Sequence, residues 1–171
     1  NPLLVRAGAL YHDIGKLNNP NFFIENQSGS SNPHDDLSFD ESAKLIINHV
    51  LDGIELAKKH NLPDQLIDFI RTHHGDSLMQ YFYKEYLKNF PEKVNVKDFR
   101  YPGPKPYNKE TAILMMCDSV EAASRSLNKI DNNSINEIVD KVISSQFEQN
   151  QYDNSSLTFK EINQIKKTLK L

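Results

Sequence analysis

The chain has 171 residues, 38% apolar and 25% charged, with six Gly, eight Pro and a single Cys. This excludes collagen-like, disulfide-stapled and wholly disordered classes and suffices for one domain with its own core. Twenty basic and twenty-three acidic side chains leave a net charge of −3, so no global field gathers a DNA or RNA polymer, and an anionic ligand needs a local site. Cys117 has no partner for an internal bridge, in keeping with a reducing, cytoplasmic compartment. The apolar run Ile113 to Cys117 falls far short of the roughly 20 residues that cross a bilayer.

The first element in chain order is a helical run from Leu3 that Gly15 is expected to stop. It begins at Asn1-Pro2 with no initiator Met, so residues 1–171 are expected to form one domain in a fragment that lacks a preceding helix. Asn, Pro, Ser and Gly around Phe22-Phe23-Ile24 predict a long ordered loop over residues 18–36. Ser38-Phe39-Asp40-Glu41 is a capping box. Ala43, Ile46, Ile47, Val50, Leu51, Ile54 and Ala57 then recur every three or four residues, predicting a helix to about Lys59 with one buried stripe and His49 beside it.

Pro63 suits the first turn of the next helix, whose Leu66, Ile67, Phe69 and Ile70 face inward before His73-His74-Gly75 closes it. A further helix over 76–89 is rich in aromatics, whose helical spacing suits a core more than a base-stacking platform. Pro91, Pro102, Pro104 and Pro106 preclude a regular helix between 90 and 107 and predict an extended surface excursion. Helix returns from Lys109 to about Leu127, and the capping boxes Ser134-Ile135-Asn136-Glu137 and Thr158-Phe159-Lys160-Glu161 announce two more. No strand pattern and no internal repeat stands out, so the fold class is all-α.

Histidine and aspartate carry the candidate chemistry. His12 precedes Asp13, His49 sits on the next long helix, His73 and His74 are adjacent at a helix end, and Asp118 is embedded in an apolar helix. Imidazole and carboxylate together suit a first-row divalent cation, and without further thiols a Cys-rich zinc site is excluded. Taken singly, each has a bland reading. His49 could be a satisfied core-edge histidine, His73-His74 a pair favoured by the helix dipole, and Asp118 the partner of Arg125 or Lys109. A carboxylate among Leu114, Met115, Met116 and Val120 is nevertheless costly to bury unless it is paired or metal-bound. His60, beside Lys58 and Lys59, reads as a solvated surface residue. Lys16 is either a solvated helix-end charge or a ligand for a phosphate oxygen. His34, in Asn32-Pro33-His34-Asp35, either points at substrate or builds a turn.

Together, His12-Asp13, His49, His73-His74 and Asp118 resemble the HD-domain phosphohydrolase superfamily. Tyr11-His12-Asp13-Ile14-Gly15-Lys16, Phe23-Ile24-Glu25-Asn26-Gln27, Asn32-Pro33-His34-Asp35 and His73-His74-Gly75 are more closely similar to the HD domain of bacterial seven-transmembrane HD receptors, which are cyclic di-AMP phosphodiesterases. Asp76-Ser77-Leu78-Met79 replaces the Gly-Tyr-Pro signature of the HD-GYP branch, which acts on cyclic di-GMP.

The resemblance covers about residues 1–130 and implies an HD-domain helical bundle with two divalent metal ions, iron or manganese. It further implies hydrolysis of cyclic di-AMP to the linear dinucleotide, and a cytosolic domain attached to a membrane-spanning receptor region. A homodimer is left open. On the matching positions, Asp13 would bridge the metals, His12 and Asp118 would hold one, and His49, His73 and His74 the other. Lys16 would steady a phosphate. The family carries one more ligand histidine on a helix before the HD pair, so the metal at His12 is expected to be short of a ligand in this sequence. Two metals acidify water and clamp a phosphodiester without any nucleophilic side chain. The alternatives are a mononuclear HD nucleotide hydrolase and a nucleotide-sensing module that does not cut.

Overall fold

The computed structural model describes residues 1–27, 32–92, 95–127 and 129–171, and within them helices are the only regular elements, seven α-helices with short 3-10 turns, beside a single isolated bridge between Leu78 and Arg100. Helix α1 (Pro2–Tyr11) is capped by the Asn1 side chain, which accepts from the Leu4 N–H at 3.2 Å. It ends at Tyr11, not at Gly15, because His12 becomes its C-cap and the chain tightens into a 3-10 turn over Ile14–Asn18. Gly15 serves contact instead of termination. A Cβ there would lie 1.8 Å from the His49 carbonyl oxygen, so only glycine lets this turn press its backbone on the next long helix.

That helix, α2 (Phe39–Lys59), starts where the capping box predicts, with Glu41 accepting from the Ser38 N–H and hydroxyl at 2.9 and 2.7 Å. Ala43, Val50 and Ala57, seven residues apart, are buried along its inner stripe. Residues 18–36 form the expected long connection as short 3-10 turns anchored by buried Phe23; its residues 28–31 lie outside those described. Helix α3 (Asp64–Thr72) buries Leu66, Ile67, Phe69 and Ile70 as the pattern requires, and His73 forms its C-cap.

Two expectations fail around residue 80. The aromatic helix α4 (Gln80–Asn89) begins four residues late, because residues 77–79 are extended and bonded to a returning strap. The Met79 N–H donates to Phe99 and the Tyr101 N–H to Ser77. Residues 96–107 are that strap, so they are not simply a surface excursion. Phe99 is 1% exposed and Pro106 is fully buried, and the half-buried Tyr83 and Tyr86 of α4 pack on Phe99, so the aromatics flank the core instead of filling it. Backbone that helix cannot satisfy finds partners across the strap.

Helix α5 (Lys109–Ser124) runs through the centre, capped by Asn108, whose side chain accepts from the Thr111 N–H at 2.8 Å. Helix α6 (Asn132–Glu148) corrects the predicted start. Its N-cap is Asp131, which accepts from the Ser134 N–H at 2.9 Å, so Ser134 is the third helical residue and not the cap. Helix α7 (Phe159–Leu169) begins at the predicted Thr158 cap. Ala112, Met116 and Val120 of α5 pack with Val139 and Ile143 of α6 in one apolar cluster, and Ala57, Ile67 and Ile70 form a second beneath α2 and α3.

Candidate metal centre

Four elements bring the polar residues together: the C-cap of α1, the body of α2, the C-cap of α3 and the middle of α5. His12, His49 and His73 are held alike. The Nδ1 of each donates to the backbone carbonyl three residues earlier: Ala9 at 3.0 Å, Ile46 at 2.6 Å and Ile70 at 2.7 Å. A carbonyl can only accept, so in the neutral rings Nε2 is left as a bare lone pair aimed inward.

Those lone pairs converge. His49 Nε2 lies 3.1 Å from His73 Nε2, and 3.4 Å from Asp13 Oδ1, which is also 3.6 Å from His73 Nε2. His12 Nε2 lies 3.2 Å from Asp13 Oδ2 and 3.4 Å from Asp118 Oδ1, while Asp118 Oδ2 is 3.8 Å from His74 Nδ1. His12 Nε2 and Asp13 Oδ1 are buried without a hydrogen-bond partner among the described residues. Two such buried, unpartnered atoms among clustered imidazoles and carboxylates fit a cation, since burying them otherwise leaves unpaired polar atoms.

The donors sort into two groups with metal-binding spacing: His49, His73 and His74, and His12, Asp13 and Asp118. Asp13 faces both, one oxygen toward each. The bland reading of Asp118 falls away, because Lys109 pairs with Glu161 at 2.5 Å and Arg125 with Glu121 at 2.6 Å, which leaves Asp118 to the histidines. His73, 1% exposed, is not a solvated helix-end residue. His60, the C-cap of α2, is exposed as expected.

Electrostatics separate the two groups. Burial opposes charge on both His12 and His73, but with different outcomes. At His12 the contacts with Asp118 and Asp13 outweigh it and raise the imidazole to about 10. At His73 burial prevails and lowers the ring to about 4, and His74 is likewise held well below its ordinary value. Burial also works against the charge on Asp13, yet contact with His12 and His49 keeps its carboxyl far below the usual carboxylate range.

Lys16 sits beside this cluster, 2.7 Å from Asp13 Oδ2 and 2.5 Å from Glu25, with its ammonium 5.1 Å above the Phe23 ring. It borders a cleft of about 450 Å³ that His12, Asp13 and Asp118 open into, and that Glu25, Cys117 and Arg125 also line. His34 is not beside the cluster. Its Nε2 donates to the Phe22 carbonyl at 2.9 Å and its ring meets Phe22 and Phe82 edge-on or tilted, so it holds the loop that carries Phe23 and Glu25.

Three neighbours escaped sequence reasoning. Phe23 sets its ring edge against His49, with centroids 5.6 Å apart. Tyr101 stacks on His74 at 4.1 Å, and the buried Gln151 donates to Asp76 Oδ1 at 2.6 Å just beyond the histidine pair. Tyr101 lies in the proline-rich segment, where an aromatic immediately before Pro-Gly-Pro was a usable signal. Gln151 had none.

A helical bundle that gathers His, His-Asp, His-His and Asp from four elements into two adjoining ligand groups defines an HD-type metal domain. A sequence profile of the HD domain matches residues 1–123, and the chain belongs to that family. Among its relatives, the protein named cyclic-di-AMP phosphodiesterase PgpH of Bacillus subtilis (strain 168) is 44% identical over 169 residues, covering 99% of this chain. Its namesake in Listeria monocytogenes serotype 1/2a (strain 10403S) is 43% identical over 169 residues, again 99% of this chain. The chain spans about a quarter of the length of these curated relatives, 24% and 23%. The crystal structure of the L. monocytogenes PgpH HD domain in complex with cyclic-di-AMP superposes with a TM-score of 0.97 at 43% identity, covering 99% of this chain and 79% of that one. No helix among the described residues is long and apolar enough to cross a membrane.

Proposed function

We propose that this domain hydrolyses cyclic di-AMP to the linear dinucleotide, using two divalent cations, iron or manganese. His12 and Asp118 would hold one, His49, His73 and His74 the other, and Asp13 would be shared. The observation that carries the proposal is the pair of ligand groups meeting at Asp13, in an HD-family chain whose relatives are named for that activity. When bound, such cations supply Lewis acidity, neutralising phosphodiester charge and acidifying water.

The chain's own residues do the rest. His49 and His73, with Nδ1 tied to backbone, present Nε2 in a fixed orientation and lose none of it on loading. Lys16 can exchange one of its carboxylates for a phosphate oxygen at the cleft, a charge-assisted contact. The loop held by His34 carries Ile24 and Glu25 to the rim, so His34 acts on substrate through that loop. In the intact protein we place the domain on the cytosolic side of a membrane-anchored receptor, following the seven-transmembrane HD resemblance.

Incubating the protein loaded with Mn(II) or Fe(II) with cyclic di-AMP should yield linear pApA, separated by chromatography, with cyclic di-GMP turned over more slowly. Tight binding by calorimetry without product, or no turnover of any cyclic dinucleotide, would overturn this reading, the former in favour of a sensing module.

A further inference from the structure

Three of the four clustered histidines are fixed by a ring-to-backbone hydrogen bond, and His74 is not. Among the described residues His12, His49 and His73 each donate Nδ1 to a carbonyl three residues back, whereas the His74 ring makes no such bond and has Asp118 at 3.8 Å. A ligand imidazole free to turn about its side-chain torsions loses rotamer freedom on binding a metal. It binds best when a neighbour has already fixed it.

That neighbour is Tyr101. Its ring lies face to face with His74, with centroids 4.1 Å apart and planes at 29°, and it meets His49 edge-on at 6.3 Å. Both planes are held by the strap. The Tyr101 N–H donates to the Ser77 carbonyl at 3.1 Å, Leu78 bridges Arg100, and the Arg100 guanidinium donates to the Asp76 carbonyl at 2.9 Å. Residues 76–78 follow the histidine pair after Gly75 alone, so the backbone beyond His74 and the ring stacked on it are held by one segment.

We propose that Tyr101 is a positioning residue of the metal centre, its aromatic face setting the orientation of His74 in place of the backbone bond that the other three histidines make. The ring does this and the hydroxyl is dispensable. The inference rests on the metal-binding reading above. It predicts that the two cations respond differently, because His74 belongs to the group with His49 and His73 and not to that of His12.

The test compares Tyr101→Phe, which keeps the ring, with Tyr101→Leu, which removes it, in protein loaded with Co(II) as a spectroscopic probe. Titration should show that Tyr101→Phe retains wild-type affinity and the wild-type visible d–d spectrum. Tyr101→Leu should lose about tenfold in affinity for one of two Co(II) ions and change the spectrum of that ion alone. In a His74→Ala background Tyr101→Leu should change Co(II) affinity no further, which separates an effect through His74 from general loosening. If Tyr101→Leu does not fold, Tyr101→Met serves in its place in both backgrounds.

Wild-type affinity and spectrum in a folded Tyr101→Leu protein would overturn the proposal, and so would an equal loss in Tyr101→Phe, which would move the role to the hydroxyl. A wild-type protein that takes up no Co(II) would instead remove the metal centre itself.

Discussion

The two ligand groups differ in setting more than in chemistry. His49 and His73 are buried with rings tied to backbone, close to the α2 and α3 core, and His74 completes their group under Tyr101. His12, Asp13 and Asp118 are only half buried and border the cleft where Lys16 and Arg125 lie. In the first group burial lowers His73 and His74. The second concentrates two carboxylates around one imidazole and raises it. An enclosed group of imidazoles suits a cation that stays, whereas an acidic, open one suits a cation that meets substrate and solvent. Asp13 joins them, so it is the residue whose loss should erase the difference.

The largest expected effect follows from that position. Asp13→Ala should remove both metals and abolish turnover, while His49→Ala should mainly weaken one, as counted by elemental analysis after dialysis. Equal loss of both metals in the two variants would show that Asp13 is not shared. The fold should survive either change, because the caps and apolar stripes lie elsewhere.

Acid sharpens the contrast between the groups in the metal-free protein. His73 is lowered to about 4 in the fold against about 6.5 when unfolded. Between those values only the unfolded chain takes the proton, so stability falls as pH drops from 6.5 toward 4, by on the order of 3 kcal/mol from this ring. His74, lowered too, acts in the same direction. His12 has the opposite sign: raised to about 10, it contributes stability fully below 6.5 and loses it as pH rises through 10. It is charged in both states below 6.5 and leaves the acid limb to the buried pair. Urea unfolding of metal-free protein at pH 7, 5.5 and 4.5 should therefore lose stability stepwise, and His73→Gln should flatten the slope.

The sequence legible as a site was the part built on α1, α2, α3 and α5. Taken singly, His12-Asp13, His49, His73-His74 and Asp118 each had a bland reading, and it was their co-occurrence, with the family resemblance it carries, that announced them. Helix starts at Ser38 and Thr158 were equally legible, since capping is local chemistry. What escaped was non-local. Only the α6 cap was misplaced locally, where Asp131, accepting from the Ser134 N–H, starts the helix three residues earlier. The late start of α4 came from backbone bonds to Phe99 and Tyr101 across the strap, which no local window contains. Phe23, Tyr101 and Gln151 touch the centre by packing, and packing partners are not spelled out by spacing.

The C-terminal segment reaches the centre through one such partner, which gives the next smaller effect. Gly75 sits at φ +55°, directly after the histidine pair, and a Cβ there would lie 2.1 Å from Gln151 Oε1. Gly75→Ala should cost on the order of 2 kcal/mol from the left-handed backbone alone, with Gln151 forced off Asp76. Gln151→Ala relieves the contact but not the backbone. The double variant should therefore be less destabilised than the sum of the two singles in chemical denaturation, and strict additivity would show that the two residues do not meet.

The smallest effect belongs to Arg125, on the open side of the cleft. Its pair with Glu121 is exposed on both partners, four residues apart on one helix, a geometry worth about 0.3–0.5 kcal/mol. Arg125→Ala should hence leave the melting temperature within about a degree and both metals in place. Because the guanidinium borders the cleft and not the ligand groups, any effect should fall on KM for cyclic di-AMP, rising with kcat unchanged, and should shrink as salt screens the phosphate. A fall in kcat or in metal content would instead tie the open rim to the enclosed histidine group and dissolve the distinction between the two.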